Sequence, residues 1–303
     1  MTRPSLLRLL GYSPEWTGAL RRHRAAAASV AAALLLCTPV PYLPFGALLL
    51  AVLVGGMIEF YGLASRCGAE PQRIVGIAAG SALYVTGFAA FSGLTGVWPD
   101  AGTLLLFGAL FLTAVLFAGF VCELFRGGRN PLADIGATVA GVLYVALPLT
   151  LLPFVSVLAM KGWEPWTVIW FIFLIWSNDV FAYLVGSTCG RHKLCERISP
   201  KKSWEGFVGG VIGAVAMSVA AACHLDMNPV LWIGLAIVAS VTGVAGDLVE
   251  SMFKRKAGVK DSGNVIPGHG GVLDRFDAVL LSAPFVAVYL LLCRYVFDVA
   301  LFC

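Results

Sequence analysis

The sequence predicts an all-α, polytopic integral membrane protein with about nine transmembrane helices, its N-terminus inside and its C-terminus outside. Three observations carry this reading. The 303 residues are 59% hydrophobic and only 13% charged, about half the charge of a typical soluble domain, and mean hydropathy is +0.87. Apolar stretches long enough to cross about 30 Å of hydrocarbon recur along the chain. The basic residues alternate between the links that join those stretches.

The segments are read at about 25–40, 44–63, 73–94, 101–124, 133–159, 165–188, 205–224, 229–250 and 272–297. Arg21, Arg22 and Arg24 before "AAAASVAAALLLC" resemble the start of a signal peptide. No small-x-small cleavage site follows, so the segment reads as an uncleaved first helix. Pro39, Pro41 and Pro44 crowd its link to the second. Most links are short; the long polar ones are 189–204 and 251–271. With the N-terminus inside, segments 1–24, 66–73, 126–129, 191–202 and 254–260 hold 18 of the 21 Lys and Arg residues, and Lys161 stands on the other side. That asymmetry sets the orientation. The chain divides into N-terminal membrane helices (1–170, opening with the basic segment 1–24) and a membrane region 171–303 that carries the charged loops. Eight scattered cysteines include Cys189 and Cys195 around His192, at a spacing that fits no common zinc pattern.

Charge gathers where apolar segments end. Asp179, Asp247, Glu250, Asp274 and Asp277 lie within or at the ends of such segments. A charge at mid-membrane costs about 2.5–3.5 kcal/mol or more, so acids at one membrane face call for cations. Asp247 and Glu250 are i, i+3, as are Asp274 and Asp277, so each pair shares a helix face. Hard oxygen ligands of this kind suit Mg²⁺, with a second cation left open; pairing with neighbouring Lys and Arg is the plainer alternative. Lys201, Lys202, Lys254, Arg255 and Lys260 supply positive charge nearby. Such residues attract anionic lipid or, beside a metal-type cluster, handle phosphate. "PGHGG" (Pro267–Gly271) offers a flexible turn before the last segment, where backbone N–H groups and a helix N-terminus would meet an anion. His269 reads as a phosphate donor, a general base or a turn histidine. Neither a P-loop ending nor a GxSxG elbow is present.

The stretch Ser251–Asp277 resembles the signature of the phosphatidate cytidylyltransferases, or CDP-diacylglycerol synthases. Ser251, Phe253, Lys254, Arg255, Lys260, Asp261, Gly263, Ile266, Pro267, His269, Gly270, Gly271, Asp274, Arg275 and Asp277 fill every fixed position of that pattern. "GDLVES" (Gly246–Ser251), "DVFAYLVG" (Asp179–Gly186), "GRHKL" (Gly190–Leu194) and "SPKKSWEG" (Ser199–Gly206) resemble its neighbouring motifs, although Val180-Phe181 departs from the usual Ser/Thr-Gly after the aspartate. "MIEFYGLA" is a faint echo.

The resemblance implies an all-helical membrane enzyme, reported in the family as a homodimer, that takes CTP and bilayer phosphatidate to CDP-diacylglycerol and pyrophosphate for phospholipid synthesis. It implies an active site facing the cytoplasm of a bacterial inner membrane, with no nucleic-acid partner. It implies metal held by Asp247 and Asp274; the clustering of acids adds Glu250, Asp277 and Asp179 as additional ligands or as supports of those two. Lys254, Arg255, His269 and Arg275 would join them in catalysis. Lys201, Lys202, Ser203, Lys260, Asp261, Gly270 and Gly271 would bind substrate. The alternatives are a CTP-dependent polyprenol or phytol kinase, a cytidylyltransferase for another lipid phosphate and, further off, an ion-coupled transporter.

Overall fold

A computed structural model describes residues 43–91, 100–128, 130–159, 164–263 and 270–295. The predicted first segment (25–40), the basic stretch 1–24, Lys161 and His269 lie outside them. The described helices are α1 (Leu43–Arg66), α2 (Arg73–Phe91), α3 (Ala101–Arg126), α4 (Pro131–Gly141), α5 (Leu147–Ala159), α6 (Pro165–Cys189), α7 (Trp204–Leu225), α8 (Pro229–Lys256) and α9 (Leu273–Tyr295). A π-helical turn, Val142–Ala146, joins α4 and α5 into one span. Among the described residues, eight spans are long and apolar enough to cross a membrane. The all-α, polytopic reading is therefore seen directly.

Helix starts follow from local chemistry. Asn130, Glu164 and Asn228 each precede a proline and accept a backbone N–H with the side chain. A capping acceptor satisfies an otherwise orphaned donor, and proline has no N–H to orphan. Asp100 caps α3 through the Thr103 N–H at 2.6 Å. Ser203 caps α7 through the Gly206 N–H at 3.1 Å.

Two boundaries differ from the sequence reading. Helix α8 continues six residues past the expected end at 250, so "SMFKRK" is helical rather than loop. Lys254 pairs with Glu250 one turn earlier, and three basic residues close the helix where its dipole favours cations. The 189–204 link holds a small antiparallel hairpin, β1 (Lys193–Cys195) with β2 (Ser199–Ser203). Glu205 pins its base by accepting the Arg191 and His192 N–H groups and pairing with His192 Nδ1 at 2.6 Å.

The core runs through the bundle and includes Phe45, Tyr61, Tyr84, Phe171 and Trp232, each nearly inaccessible. Tyr61 donates to the Thr138 carbonyl (2.9 Å) and ties α1 to α4. The closest pairing that bears on function is α6 with α7. Gly206, Gly209, Gly210 and Gly213 form a stripe along α7, and side chains there would run into Ala182, Val185, Asn178 and Phe181 of α6. Small residues let two helix backbones approach where lipid offers no hydrophobic drive. This contact fixes Asp179, one residue beyond Asn178, relative to the hairpin.

Gly210→Val should cost about 1–3 kcal/mol, because its side chain must push α6 away. Gly62→Ala should be neutral or stabilising by up to about 1 kcal/mol, since nothing lies within 4 Å of a β-carbon there and alanine restricts the unfolded chain. Thermal unfolding of both variants in detergent checks the pair.

Candidate active site

The site is built at the C-terminal ends of α6 and α8, the N-terminal ends of α7 and α9, and the hairpin. Lys254 on α8 sits between two helices. Its ammonium lies 2.7 Å from Glu250 Oε2 and 2.6 Å from Asp274 Oδ1 on α9. Glu250 is fully buried, and the Lys254 and Asp274 side chains are 13% and 10% exposed. The other Asp274 oxygen accepts from Ser262 N (2.9 Å), Ser262 Oγ (2.9 Å) and Gly271 N (2.8 Å). One carboxylate thus ties α8 to the signature loop.

A second carboxylate, from a helix far away in sequence, holds the same loop. Glu59 on α1 is buried, 5% exposed. It accepts the Val272 N–H at 2.9 Å and the Leu273 N–H at 2.8 Å, and Ser262 Oγ lies 3.1 Å away. The sequence reading placed a phosphate at this helix N-terminus. In the structure the anion there is Glu59, and the Gly271 N–H is taken by Asp274. The two glycines have separate reasons. Gly270 has φ +85°, a conformation that favours glycine. A β-carbon at Gly271 would collide with Glu59 and Ser262.

Lys202 on the hairpin reaches Asp247 Oδ2 at 2.5 Å, and Ser251 Oγ donates to Asp247 Oδ1 at 3.2 Å. Beside this pair opens a cavity of about 490 Å³. Asp179, Lys193, Lys201, Lys202, Ser203 and Asp247 are among its polar lining residues, and Tyr183, Leu194, Phe207 and Val244 line it as well. The structure therefore brings together Asp179, Asp247, Lys201, Lys202 and Ser203 at the cavity, and Glu250, Lys254 and Asp274 next to it. Asp277 is in contact with Glu250 and within electrostatic reach of Asp247 and Asp179. Arg255, Lys260, Asp261 and Arg275 are exposed and are not among the residues that line the cavity.

Sequence reasoning missed two residues. Glu59 is the one acid in the apolar α1, the same signal that singled out the other five carboxylates. Tyr144 gave no such signal. It lies on the π-helical turn, packs against Phe60 and Phe253, and its buried hydroxyl has no hydrogen-bond partner. Asp277, Glu250 and Asp247 are all within electrostatic reach of it. π-Turns recur at functional sites.

Among the described residues no group of three or more His, Cys, Asp and Glu side chains is arranged to hold a metal ion, and lysines already pair with Asp247, Glu250 and Asp274. The donor set nevertheless suits a hard cation. Three carboxylates, Asp247, Glu250 and Asp274, contact two ammonium groups, Asp179 and Asp277 lie within electrostatic reach of Asp247, and Glu250 Oε1 is buried without a hydrogen-bond partner; hard oxygen donors of this kind suit such an ion.

Comparison with known proteins places this arrangement. The cytidylyltransferase family matches residues 21–293. The chain belongs to that family. It is 47% identical over 124 residues to the phosphatidate cytidylyltransferase of Staphylococcus saprophyticus, covering 40% of this chain and 48% of that protein. It is 43% identical over 126 residues to the one from Staphylococcus aureus strain COL (41% and 48%). It is 37% identical over 152 residues to the one from Rickettsia bellii (48% and 64%). The aligned stretch spans about half the length of the two staphylococcal relatives. In this cytidylyltransferase-family chain, the Ser251–Asp277 stretch is thus organised by two carboxylates, Asp274 and Glu59, from helices far apart in sequence.

Glu59→Gln replaces one of two accepting oxygens with an N–H₂ group, which then faces either the Val272 or the Leu273 N–H, each held by a different oxygen of Glu59. The segment 257–272 should then be cleaved at least about tenfold faster in limited proteolysis, since a buried donor left unpaired costs about 1–3 kcal/mol. The helices should stay intact by circular dichroism.

Proposed function

We propose that the protein transfers CMP from CTP to phosphatidate, giving CDP-diacylglycerol and pyrophosphate, at the cytoplasmic face of a bacterial inner membrane. The observation that carries this reading is the Lys202–Asp247 pair in the lining of a cavity that combines charged and apolar side chains. A headgroup phosphate and its glycerol backbone need such a pocket. Residues 171–303 form the catalytic region in this reading, with Glu59 and Tyr144 contributed from the N-terminal helices. A homodimer is proposed from the family resemblance.

A phosphate monoester is largely dianionic near pH 7, its second pKa being about 6. The nucleophile is therefore ionised when it arrives, and no side chain has to take a proton from it. A phosphatidate oxygen attacks the α-phosphorus of CTP, a P–O bond forms, and the bond from the α-phosphorus to the bridging oxygen breaks with the electron pair leaving on pyrophosphate. The obstacle is repulsion between an anion and a polyanion, which fixed cations reduce. Lys201 and Lys202 hold the incoming headgroup. Lys254, Arg255, Lys260 and Arg275 neutralise the triphosphate and the departing pyrophosphate. His269, outside the described residues, is proposed as a phosphate donor.

Mg²⁺ would be held by Asp247 together with Asp179, Glu250 and Asp277, whose acids gather beside the cavity. Asp274, the other ligand implied by the resemblance, would first have to release Lys254, as Asp247 would Lys202. Bound there, the ion would supply charge neutralisation and alignment of the phosphates. A kinase acting on a lipid alcohol needs a base within reach of a neutral hydroxyl; the described site is instead rich in cations.

The test uses CTP labelled separately at the α- and γ-phosphates, with purified protein and phosphatidate. The α-label should enter the lipid fraction and the γ-label should leave as pyrophosphate. γ-Label in lipid, with CDP released, would establish a kinase. No transfer of either label, across several lipid phosphates and alcohols, would reopen the transporter.

A further inference from the structure

We propose that the Tyr144 hydroxyl is the donor that takes over Glu250 when Lys254 turns to the nucleotide, which makes Tyr144 a positioning residue for CTP binding. The inference rests on the cytidylyl-transfer reading above, in which Lys254 neutralises the triphosphate.

Among the described residues, Lys254 is the donor to Glu250, reaching Oε2 at 2.7 Å. The Glu250 side chain is fully buried, and Asp277 is in contact with it. An ammonium that moves to a triphosphate leaves its two acids in different positions. Asp274 keeps the Ser262 and Gly271 donors on its other oxygen. Glu250 keeps no described donor, because Oε1 already has no hydrogen-bond partner. A buried carboxylate stripped of its partner is strongly destabilising. Without a replacement donor, that cost falls on nucleotide binding.

Tyr144 is placed to supply the donor. It lies on the π-helical turn Val142–Ala146. Its ring is held between Phe60 of α1 and Phe253 of α8, with both ring centroids 5.6 Å away. Phe253 is three residues beyond Glu250, on the same face of α8. The Tyr144 hydroxyl is buried and makes no hydrogen bond to the described residues, so it is committed to no other group. Asp277, Glu250 and Asp247 lie within electrostatic reach of it. A phenol O–H bonds well to a carboxylate and brings no charge of its own. It can therefore hold Glu250 and leave the Lys254 charge free for phosphate. An unpaired buried hydroxyl weakens a fold and calls for a reason. A bond made once Lys254 has moved supplies one for Tyr144 and for Glu250 Oε1 together.

Tyr144→Phe tests this, because it keeps the ring and removes the hydroxyl alone. Equilibrium binding of labelled CTP, with MgCl₂ and without phosphatidate, is measured on purified protein in detergent, alongside thermal unfolding without CTP. The variant should bind CTP about tenfold or more weakly, the size of one hydrogen bond to a charged group. Its unfolding midpoint should be unchanged or higher, where a structural hydroxyl would lower it. In Glu250→Gln protein the same substitution should change CTP affinity by less than about twofold, since the carboxylate that needs the donor is gone. Where that background fails to fold, affinity and midpoint in the otherwise wild-type protein decide together. Equal CTP affinity with and without the hydroxyl, or a lowered midpoint, overturns the inference. So does an undiminished loss of affinity in Glu250→Gln protein, which would put the hydroxyl on the nucleotide itself. Wild-type protein that binds no CTP would overturn the cytidylyl-transfer reading, and the inference with it.

Discussion

The Lys254 ammonium, held between Glu250 and Asp274, is the interaction on which the signature region depends. Three charges in an environment this dry are expensive to gather, and a buried ion pair is weak evidence of stability by itself. Its value lies in position. Asp274 uses one oxygen on Lys254 and the other on Ser262 and Gly271, so it links α8, α9 and the loop between them. Removing any member strands a buried charge. Glu59 adds an independent hold from α1 on the same loop. The charge gathered around the signature is therefore two things at once: a structural knot at Lys254, Asp274 and Glu59, and a polar pocket at Lys202, Asp247 and Asp179.

The helices set the distance between those two parts. The glycine stripe of α7 lets α6 approach closely, which places Asp179 and the hairpin over α8. Ser203 then serves two ends. Its hydroxyl caps α7, and its place at the end of β2 carries Lys201 and Lys202 to the cavity. A basic pair on a hairpin pinned by Glu205 keeps its charge near Asp247 without a long flexible loop. The result is a site whose cations come from the hairpin and the end of α8 and whose anions come from helix ends.

Much of this was legible in the sequence. Long apolar runs give spans whatever their partners, and Asn-Pro or Glu-Pro pairs mark where three helices begin. The five carboxylates at segment ends stood out because apolar surroundings make a charge conspicuous. The rule that exposed them applied equally to Glu59, which lies far in sequence from the signature. Periodicity within one segment says nothing about which distant loop a carboxylate will cap. The α8 extension was missed because "SMFKRK" is polar enough to resemble a loop, while its helicity rests on the Glu250–Lys254 pair. The hairpin's pairing rests on Glu205 gathering backbone N–H groups across fourteen residues, and Tyr144 depends on a π-turn with no composition of its own.

The central claim is that one pocket holds a divalent cation and the nucleotide phosphates together, with Asp247 as the anchoring acid. Electron paramagnetic resonance with Mn²⁺ in place of Mg²⁺ tests it most directly. With CTP added to the purified protein, the account predicts phosphorus hyperfine coupling to protein-bound Mn²⁺, lost together with that binding in Asp247→Asn. Bound Mn²⁺ without phosphorus coupling, or coupling unchanged in Asp247→Asn protein, would contradict it.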